Sequence, residues 1–304
     1  MGHSHHHHHS SNTLSGKKLF ISILLNIIIT VAQVIGGFIS GSLALISDAV
    51  HNLSDVISLI ISYVANNLTT KKKQTLHHTF GFKRAEIIAA FINSATLIVI
   101  AFFLGFEAFK RFQHPQEIES NLVIYLALLG ILANGFSVLL LKKDANHNLN
   151  MKSAYLHLMT DMLTSVAVLI GGLIMKYYQI FWIDALLTIL ISIYLLYMSW
   201  NIFIDSLKIL MLFAPNHIDI KEIQNKVLAI DEIKNIHHVH IWQLNDTDIH
   251  FEAHIQFYKD INLSRFDEIC SNVEKLLLDE FHINHSNLQP EYERDDTKDF
   301  IIQD

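Results

Sequence analysis

Residues 47–55 read SDAVHNLSD, set between GSLALI (41–46) and VISLIISYV (56–64). The flanks have the make-up of a membrane helix, which needs about 20 mostly apolar residues. Yet the stretch between them holds Asp48, His51 and Asp55. The polar positions are not scattered. Asp48, His51, Asn52, Asp55, Ser58 and Ser62 recur at spacings of three and four, which puts them on one face of a helix. A charge at the bilayer centre costs on the order of 3 kcal/mol on insertion scales. A face this expensive is expected to look into a helix bundle or a water-filled path.

A second segment repeats the arrangement. In SAYLHLMTDMLTSV (153–166), Ser153, His157, Thr160, Asp161 and Thr164 share one face. Both stripes contain His-x-x-x-Asp: His51 with Asp55, and His157 with Asp161. Hydrogen bonds that glue helices together account for Asn52, Thr160 and Thr164, but not for two matched His/Asp pairs. Two imidazoles and two carboxylates close a four-coordinate tetrahedral site, the geometry zinc favours. The charge balances, since a divalent cation neutralises two carboxylates. Binding needs neutral His and ionised Asp, so it releases protons. A mid-membrane site that trades protons for a divalent cation has the core chemistry of an antiporter.

The totals agree with a membrane chain. Of 304 residues, 51% are hydrophobic and only 17% charged. Six segments are long and apolar enough to be read as spans: 19–39, 44–66, 87–109, 121–141, 153–175 and 181–211. The first is long enough to cross, so no cleavable signal peptide is expected. Placing the amino terminus inside puts Lys17, Lys18, Lys71, Lys72, Lys73, Lys83, Arg84, Lys142, Lys143 and Lys152 on the cytoplasmic side. Only Lys110, Arg111 and Lys176 remain outside, which predicts both ends cytoplasmic. Most acidic residues lie after about position 215, within a net charge of −7. The single cysteine, Cys270, allows neither an intrachain disulfide nor a thiolate cluster, so metal chemistry falls to the 20 histidines and the carboxylates. Six of those histidines crowd the start, MGHSHHHHHSS, which reads either as an expression tag or as an arm that gathers soft cations. The expected organisation is a His-rich arm (1–16), a six-helix membrane domain (17–211), a cytoplasmic domain (212–293) and a polar, disordered tail (294–304).

Past 212 the periodicity changes. DIKEIQNKVLAI is an amphipathic helix, IKNIHHVHIWQL a strand, NDTD a turn and IHFEAHIQF a second strand. SRFDEICSNVEKLLLDEF is helical, with Phe266, Ile269, Val273, Leu276 and Leu277 on one side, and NLQPEYE is a last strand with Pro290 at an edge. The order αββαβ suits a small two-layer α+β domain. Along IHHVHI, strict alternation puts His238 and His240 on one face and His237 on the other.

Four stretches in order, GSLALISDAVHNLSD (41–55), HTFGFKRAEIIAAFIN (78–93), SAYLHLMTDMLTSV (153–166) and NIHHVHIWQL (235–244), resemble the cation diffusion facilitator family, in its bacterial zinc-exporting branch. The resemblance implies a membrane α-helical protein with a six-transmembrane-helix bundle. A cytoplasmic ferredoxin-like domain akin to metallochaperones follows, in a homodimer that drives Zn2+ out of the cytoplasm with protons. It assigns the transport site to His51, Asp55, His157 and Asp161. His at the first of these positions goes with zinc preference, with Cd2+ or Co2+ as further cargo. Val50 stands where this branch often has Gly. Asp48 is no ligand in the family pattern. It is read as a helix cap, a cation attractor or a proton relay.

The resemblance also implies regulatory zinc in the cytoplasmic domain, at His237 and His254 with Glu291 and Asp267 as carboxylate candidates. Gln289, a poor zinc ligand, stands where some members have His. His77 and His78, in the loop after the second span, are further metal candidates. His282 and His285 read as surface or packed histidines, and Gly37 and Gly41 as a GxxxG packing pair. A bacterial inner membrane follows from the short 142–152 loop, which lacks the His-rich insertion of vesicular members. The expected partners are divalent metal ions, protons, lipid and a second copy, with no nucleic acid and no enzymatic activity. Two alternatives compete: a membrane metal-dependent oxidoreductase of the hydroxylase or desaturase type, and a zinc sensor that does not transport. The first needs clusters of the HxxxH or HxxHH kind, which only IHHVHI approaches. The second leaves the membrane stripes unexplained.

Overall fold

The computed structural model describes residues 10–71, 76–77, 79–142, 149–295 and 297–302; side chains at 10–21, 58–59, 61–71 and 149–154 fall outside it. The His-rich start, His78, the 143–148 part of the fourth loop, and the side chains of Ser58, Ser62 and Ser153 therefore lie outside the described residues. Six long helices come first: α1 (Ser10–Ser40), α2 (Leu43–Lys71), α3 (Ala85–Gln113), α4 (Ser120–Leu141), α5 (Leu149–Tyr178) and α6 (Trp182–Leu210). Among the described residues, five helical stretches are long and apolar enough to cross a membrane: Ser22–Ser40, Ala85–Gln113, Ser120–Leu141, Tyr155–Tyr178 and Trp182–Leu210. They make this an integral membrane protein. Of α2, side chains are described only as far as Ile57 and at Ile60, and this part carries the polar stripe.

The helices wear their apolar residues on both sides, as lipid demands. Outward, α3 exposes Ile92, Val99, Phe102, Phe103, Phe106 and Phe109. Inward, Leu45, Ala101, Val123, Ala127, Val168, Met175 and Leu195 form one buried cluster drawn from α2 to α6. α4 packs against both α1 and α5. Gly36 permits the first of these approaches, since a Cβ there would sit 1.9 Å from Leu126 Cδ1. The GxxxG reading divides at this point. Gly37 faces Ile46, but Gly41 meets nothing and has φ +75°. Gly41 makes the turn out of α1, where a left-handed backbone favours Gly.

α2 starts from a built cap. Ser42 Oγ accepts from Leu45 N at 3.1 Å and donates to Asp184 of α6, whose other oxygen accepts from Leu43 N at 2.9 Å. A carboxylate at a helix N-terminus satisfies free N–H groups and meets the positive end of the dipole.

The second part has α7 (Ile220–Leu228), β1 (Ile233–Gln243), β2 (Ile249–Phe257), α8 (Leu263–Phe281) and β3 (His285–Glu291). The sheet order is β1-β2-β3, antiparallel then parallel. Ile223, Val227, Ile236, Ile241, Phe251, Ala253, Ile255, Ile269, Val273 and Leu277 fill its core between helices and sheet. Asp219 caps α7, Asn262 caps α8, and His282 closes α8 at φ 56°. Pro290 sits on the edge strand, where its missing N–H costs no ladder bond.

The chain divides into two compact units: Met1–Tyr63 with Ile92–Ile202, and Val64–Phe91 with Phe203–Asp304. The second takes in more than the expected 212–293 domain. Within it Lys83 pairs with Asp248 at 2.7 Å, Phe80 lies edge-on to His250, and Phe91 stacks on Phe203.

Two local expectations change. Strict alternation in β1 fails because the ladder bulges: His237 faces His254 and His240 faces Glu252, so His238 and Val239 together oppose Ala253. His238 takes φ 53°. Val239 goes to the core, while His238 stacks on His254 with ring centres 4.5 Å apart. His237, His238 and His240 thus gather on one face. The tail is also not loose over its described residues. The bulge turns two backbone donors outward, and His238 N and Val239 N donate to Asp299 O and Phe300 O at 3.1 and 2.9 Å. Phe300 packs against the core.

Candidate metal centre

α2 and α5 each offer one His and one Asp a helical turn apart, and these four meet. His51 Nδ1 lies 3.8 Å from Asp55 Oδ2, and His51 Nε2 lies 3.7 Å from Asp161 Oδ1. His157 Nε2 lies 3.2 Å from Asp55 Oδ2 and 3.5 Å from Asp161 Oδ2. Each imidazole therefore reaches the carboxylate of its own helix and that of the other. Donors about 2.0–2.1 Å from a tetrahedral zinc stand roughly 3.3 Å apart, close to these spacings. His51, Asp55 and His157 bring ligand atoms within 4.8 Å of one another, and Asp161 adds its contacts to both rings.

The burial is uneven: Asp161 is fully buried, whereas His157 is 38% exposed. Asp55 Oδ2, both Asp161 oxygens and His51 Nε2 are buried without hydrogen-bond geometry to any partner. Buried polar atoms are normally satisfied, so a cluster of unsatisfied donor atoms aimed at one point fits a cation ligand. Tyr194 of α6 turns its ring edge to His51, centres 6.1 Å apart.

Asp48 has a different setting. It is fully buried. Its Oδ2 accepts from Gln33 Nε2 at 2.9 Å and from Ser165 Oγ at 3.4 Å, and Asn52 Nδ2 donates to Gln33 Oε1 at 3.1 Å. Asp48 is therefore not the helix cap, because Asp184 and Ser42 fill that role one turn earlier. Nor does full burial suit an entrance. Gln33, Ser165, Asp184 and Tyr194 were not singled out in the sequence. Signals existed for three of them: Asn26, Thr30 and Gln33 recur at four and three in α1, Ser165 lies four residues beyond Asp161, and Asp184 is an acid within the 181–211 span; nothing local marks Tyr194.

A second group stands on the face of the small sheet away from its apolar core, with His237 and Glu291 buried. His254 Nδ1 lies 2.8 Å from Glu291 Oε1, and His237 Nε2 lies 3.1 Å from Glu291 Oε2. The three bring ligand atoms within 4.8 Å of one another. The bulge makes this possible, since His237 and His254 sit opposite in register and Glu291 reaches in from β3. Gln289 takes a supporting place, donating to Glu291 Oε1 at 3.2 Å.

Asp267 does not join. It is exposed on α8, two residues from Ile269, which turns into the core. His77 is exposed and belongs to neither group. His250 and His285 pack together, 4.5 Å apart, with His250 stacked on Trp242.

Known proteins agree on what carries these groups. The profile of the cation efflux transmembrane domain matches residues 19–211, and that of the cation efflux protein cytoplasmic domain matches 215–293. The zinc transporter ZitB of Pectobacterium atrosepticum is 35% identical over 298 residues, 97% of this chain and 91% of that protein. The cadmium, cobalt and zinc/H(+)-K(+) antiporter of Bacillus velezensis is 34% identical, covering 96% and 92%. The metal cation efflux system protein CzcD of Cupriavidus metallidurans is 32% identical, covering 95% and 89%. The oxidoreductase alternative falls, because the family moves cations and performs no chemistry on them. With two profiles covering nearly the whole length and relatives similar from end to end, this chain belongs to the cation efflux family of membrane transporters.

Proposed function

We propose that this protein exports Zn2+ from the cytoplasm in exchange for protons, with Cd2+ and Co2+ as further cargo. The observation that carries the reading is the meeting of His51, Asp55, His157 and Asp161, two pairs from two helices with buried carboxylate oxygens that no hydrogen bond satisfies. Zinc bound there displaces protons, and protons returning to the same atoms release it. Alternating access presents the site first to the cytoplasm, then outside. α2 is the sixth crossing, its polar stripe sheltered among the other helices. Both ends are cytoplasmic, in a bacterial inner membrane. The names of the relatives support zinc as cargo.

The cytoplasmic domain binds a second, regulatory zinc at His237, His254 and Glu291, and dimerises. Zinc there draws two copies of the domain together and favours the transport-competent state. Spin-label distances that stay the same with and without zinc would count against that arm. The main test is zinc flux in proteoliposomes under a pH gradient. Flux should follow the gradient and be lost in His157→Ala. Uptake indifferent to the gradient, or parent-like flux in that variant, overturns the assignment.

A further inference from the structure

The buried carboxylate of the cytoplasmic cluster already holds a cation of the chain's own. Lys298 Nζ lies 2.8 Å from Glu291 Oε2 and 3.4 Å from His237 Nε2. It therefore touches two of the three residues that would hold a metal, on the atoms that would hold it. Arg294 reaches the other Glu291 oxygen at 3.4 Å. Burying a carboxylate requires a partner of opposite charge, and Glu291 is almost fully buried.

What brings Lys298 there is a strap. Residues 297–302 run back over β1, held by the two backbone bonds that His238 and Val239 donate to Asp299 and Phe300. Phe300 anchors it on the core. The left-handed His238 that frees these donors also places His237 opposite His254. Metal cluster and strap dock are thus two sides of one bulge.

We infer that the carboxy-terminal strap is a built-in competitor for the cytoplasmic metal: Lys298 fills the cation position, and zinc binding must expel it and lift the strap from β1. The inference rests on the regulatory-zinc reading above. Two cations cannot share the same Glu291 and His237 atoms, so binding and docking are linked, each weakening the other by one factor. If the strap is docked about nine-tenths of the time, it weakens the apparent zinc affinity roughly tenfold. The device sets the threshold: zinc acts on the domain only once it outcompetes the tethered ammonium. Freed, the strap takes Asp299 and Phe300 off the backbone of His238 and Val239.

The test uses the full-length protein in detergent, titrated with zinc ions alone. Amide hydrogen exchange reports the strap at His238, Val239 and residues 297–302, and histidine side-chain NMR reports the cluster. Zinc should speed strap exchange in the parent. In Lys298→Met the midpoint should move to about tenfold lower zinc, and His254→Ala should abolish both responses. Phe300→Ala, which loosens the strap and keeps the charge, should also lower the midpoint and serves if Lys298→Met does not fold. If zinc shifts the His237 and His254 signals while strap exchange and the Lys298→Met midpoint stay at parent values, the strap inference is overturned and the metal site stands. If the histidine signals ignore zinc in the parent and in Lys298→Met, the site reading fails and the strap with it.

Discussion

The membrane and cytoplasmic clusters use the same donors, histidine and carboxylate, and treat their charge in opposite ways. Among the described residues, the ion pairs of Asp55 and Asp161 are all with histidines. Glu291 pairs with two histidines and also with Lys298 and Arg294. A fixed cation beside the membrane carboxylates would hold cargo back by repulsion at close range. Under the proposed transport role, that site is neutralised by what it would exchange, protons or metal. Under the proposed regulatory role the cytoplasmic site loads no cargo, so a resident ammonium would cost it only affinity. Backbone placement differs too. The membrane His/Asp pairs ride on two helices at i, i+4, whereas the cytoplasmic side chains come from three strands and depend on one bulge.

The comparison breaks first at Asp161. Asp161→Ala removes a fully buried carboxylate that reaches both imidazoles, and zinc–proton exchange should fall by about 100-fold or more, since even supporting residues of a metal site are worth 10–100-fold. Parent-like flux in proteoliposomes would sink the membrane assignment. His254→Ala should separate the two sites. Zinc affinity at the cytoplasmic cluster should drop about tenfold or more, while flux at saturating zinc stays within a few-fold of the parent. If flux collapses as it does for Asp161→Ala, the two clusters do not have separate jobs.

How much of this was legible depended on whether a periodicity survived into the structure. His51, Asp55, His157 and Asp161 lie on helices, where spacing fixes the face, and the four side chains meet. His237 lies on a strand, where one extra residue reverses every face beyond it. IHHVHI carries no Gly to announce the bulge, and His238 takes the left-handed position instead. Glu291 comes from a third strand, and its reach depends on a parallel pairing that no local pattern encodes. Lys298 was beyond reach, since a lysine in a polar tail reads as solvated. The setting of Asp48 was not legible, because its partners Gln33 and Ser165 lie on α1 and α5 and only packing brings them together.

That packing yields a smaller effect, confined to the membrane side. A Cβ on Gly130 would stand 2.8 Å from Ser165 Oγ and 3.2 Å from Gln33 Nε2, the two side chains that hold Asp48. Gly130→Ala should therefore overpack the α1–α4–α5 junction and cost about 1–3 kcal/mol, read as a lower melting temperature in detergent. Gly105→Ala is the control, since its nearest neighbour, Ser192 Cβ, is at an ordinary 3.5 Å. Equal melting of the two variants would mean that the polar network around Asp48 is not tightly packed.

The smallest expected effect belongs to the cytoplasmic side and is set by pH. His250 is buried, stacked on Trp242 and facing His285, with Lys83 and Arg84 nearby and Asp248 opposing them. Burial, then the neighbouring positive charges, hold its pKa below the usual value. The unfolded chain then binds a proton more readily than the folded one. Stability should fall as pH drops through about 6.5, the ordinary histidine value, and level off once the folded state is protonated too. Asp248 works in a separate window. Its hydrogen bond from Lys83 holds its pKa below the usual carboxylate range, so its contribution persists until well into acid. Thermal unfolding of the chelator-treated protein, followed by Trp242 fluorescence, should show the loss between neutral and mildly acidic pH, and His250→Gln should flatten it. A slope unchanged in His250→Gln would sink the assignment of the acid sensitivity to this buried imidazole.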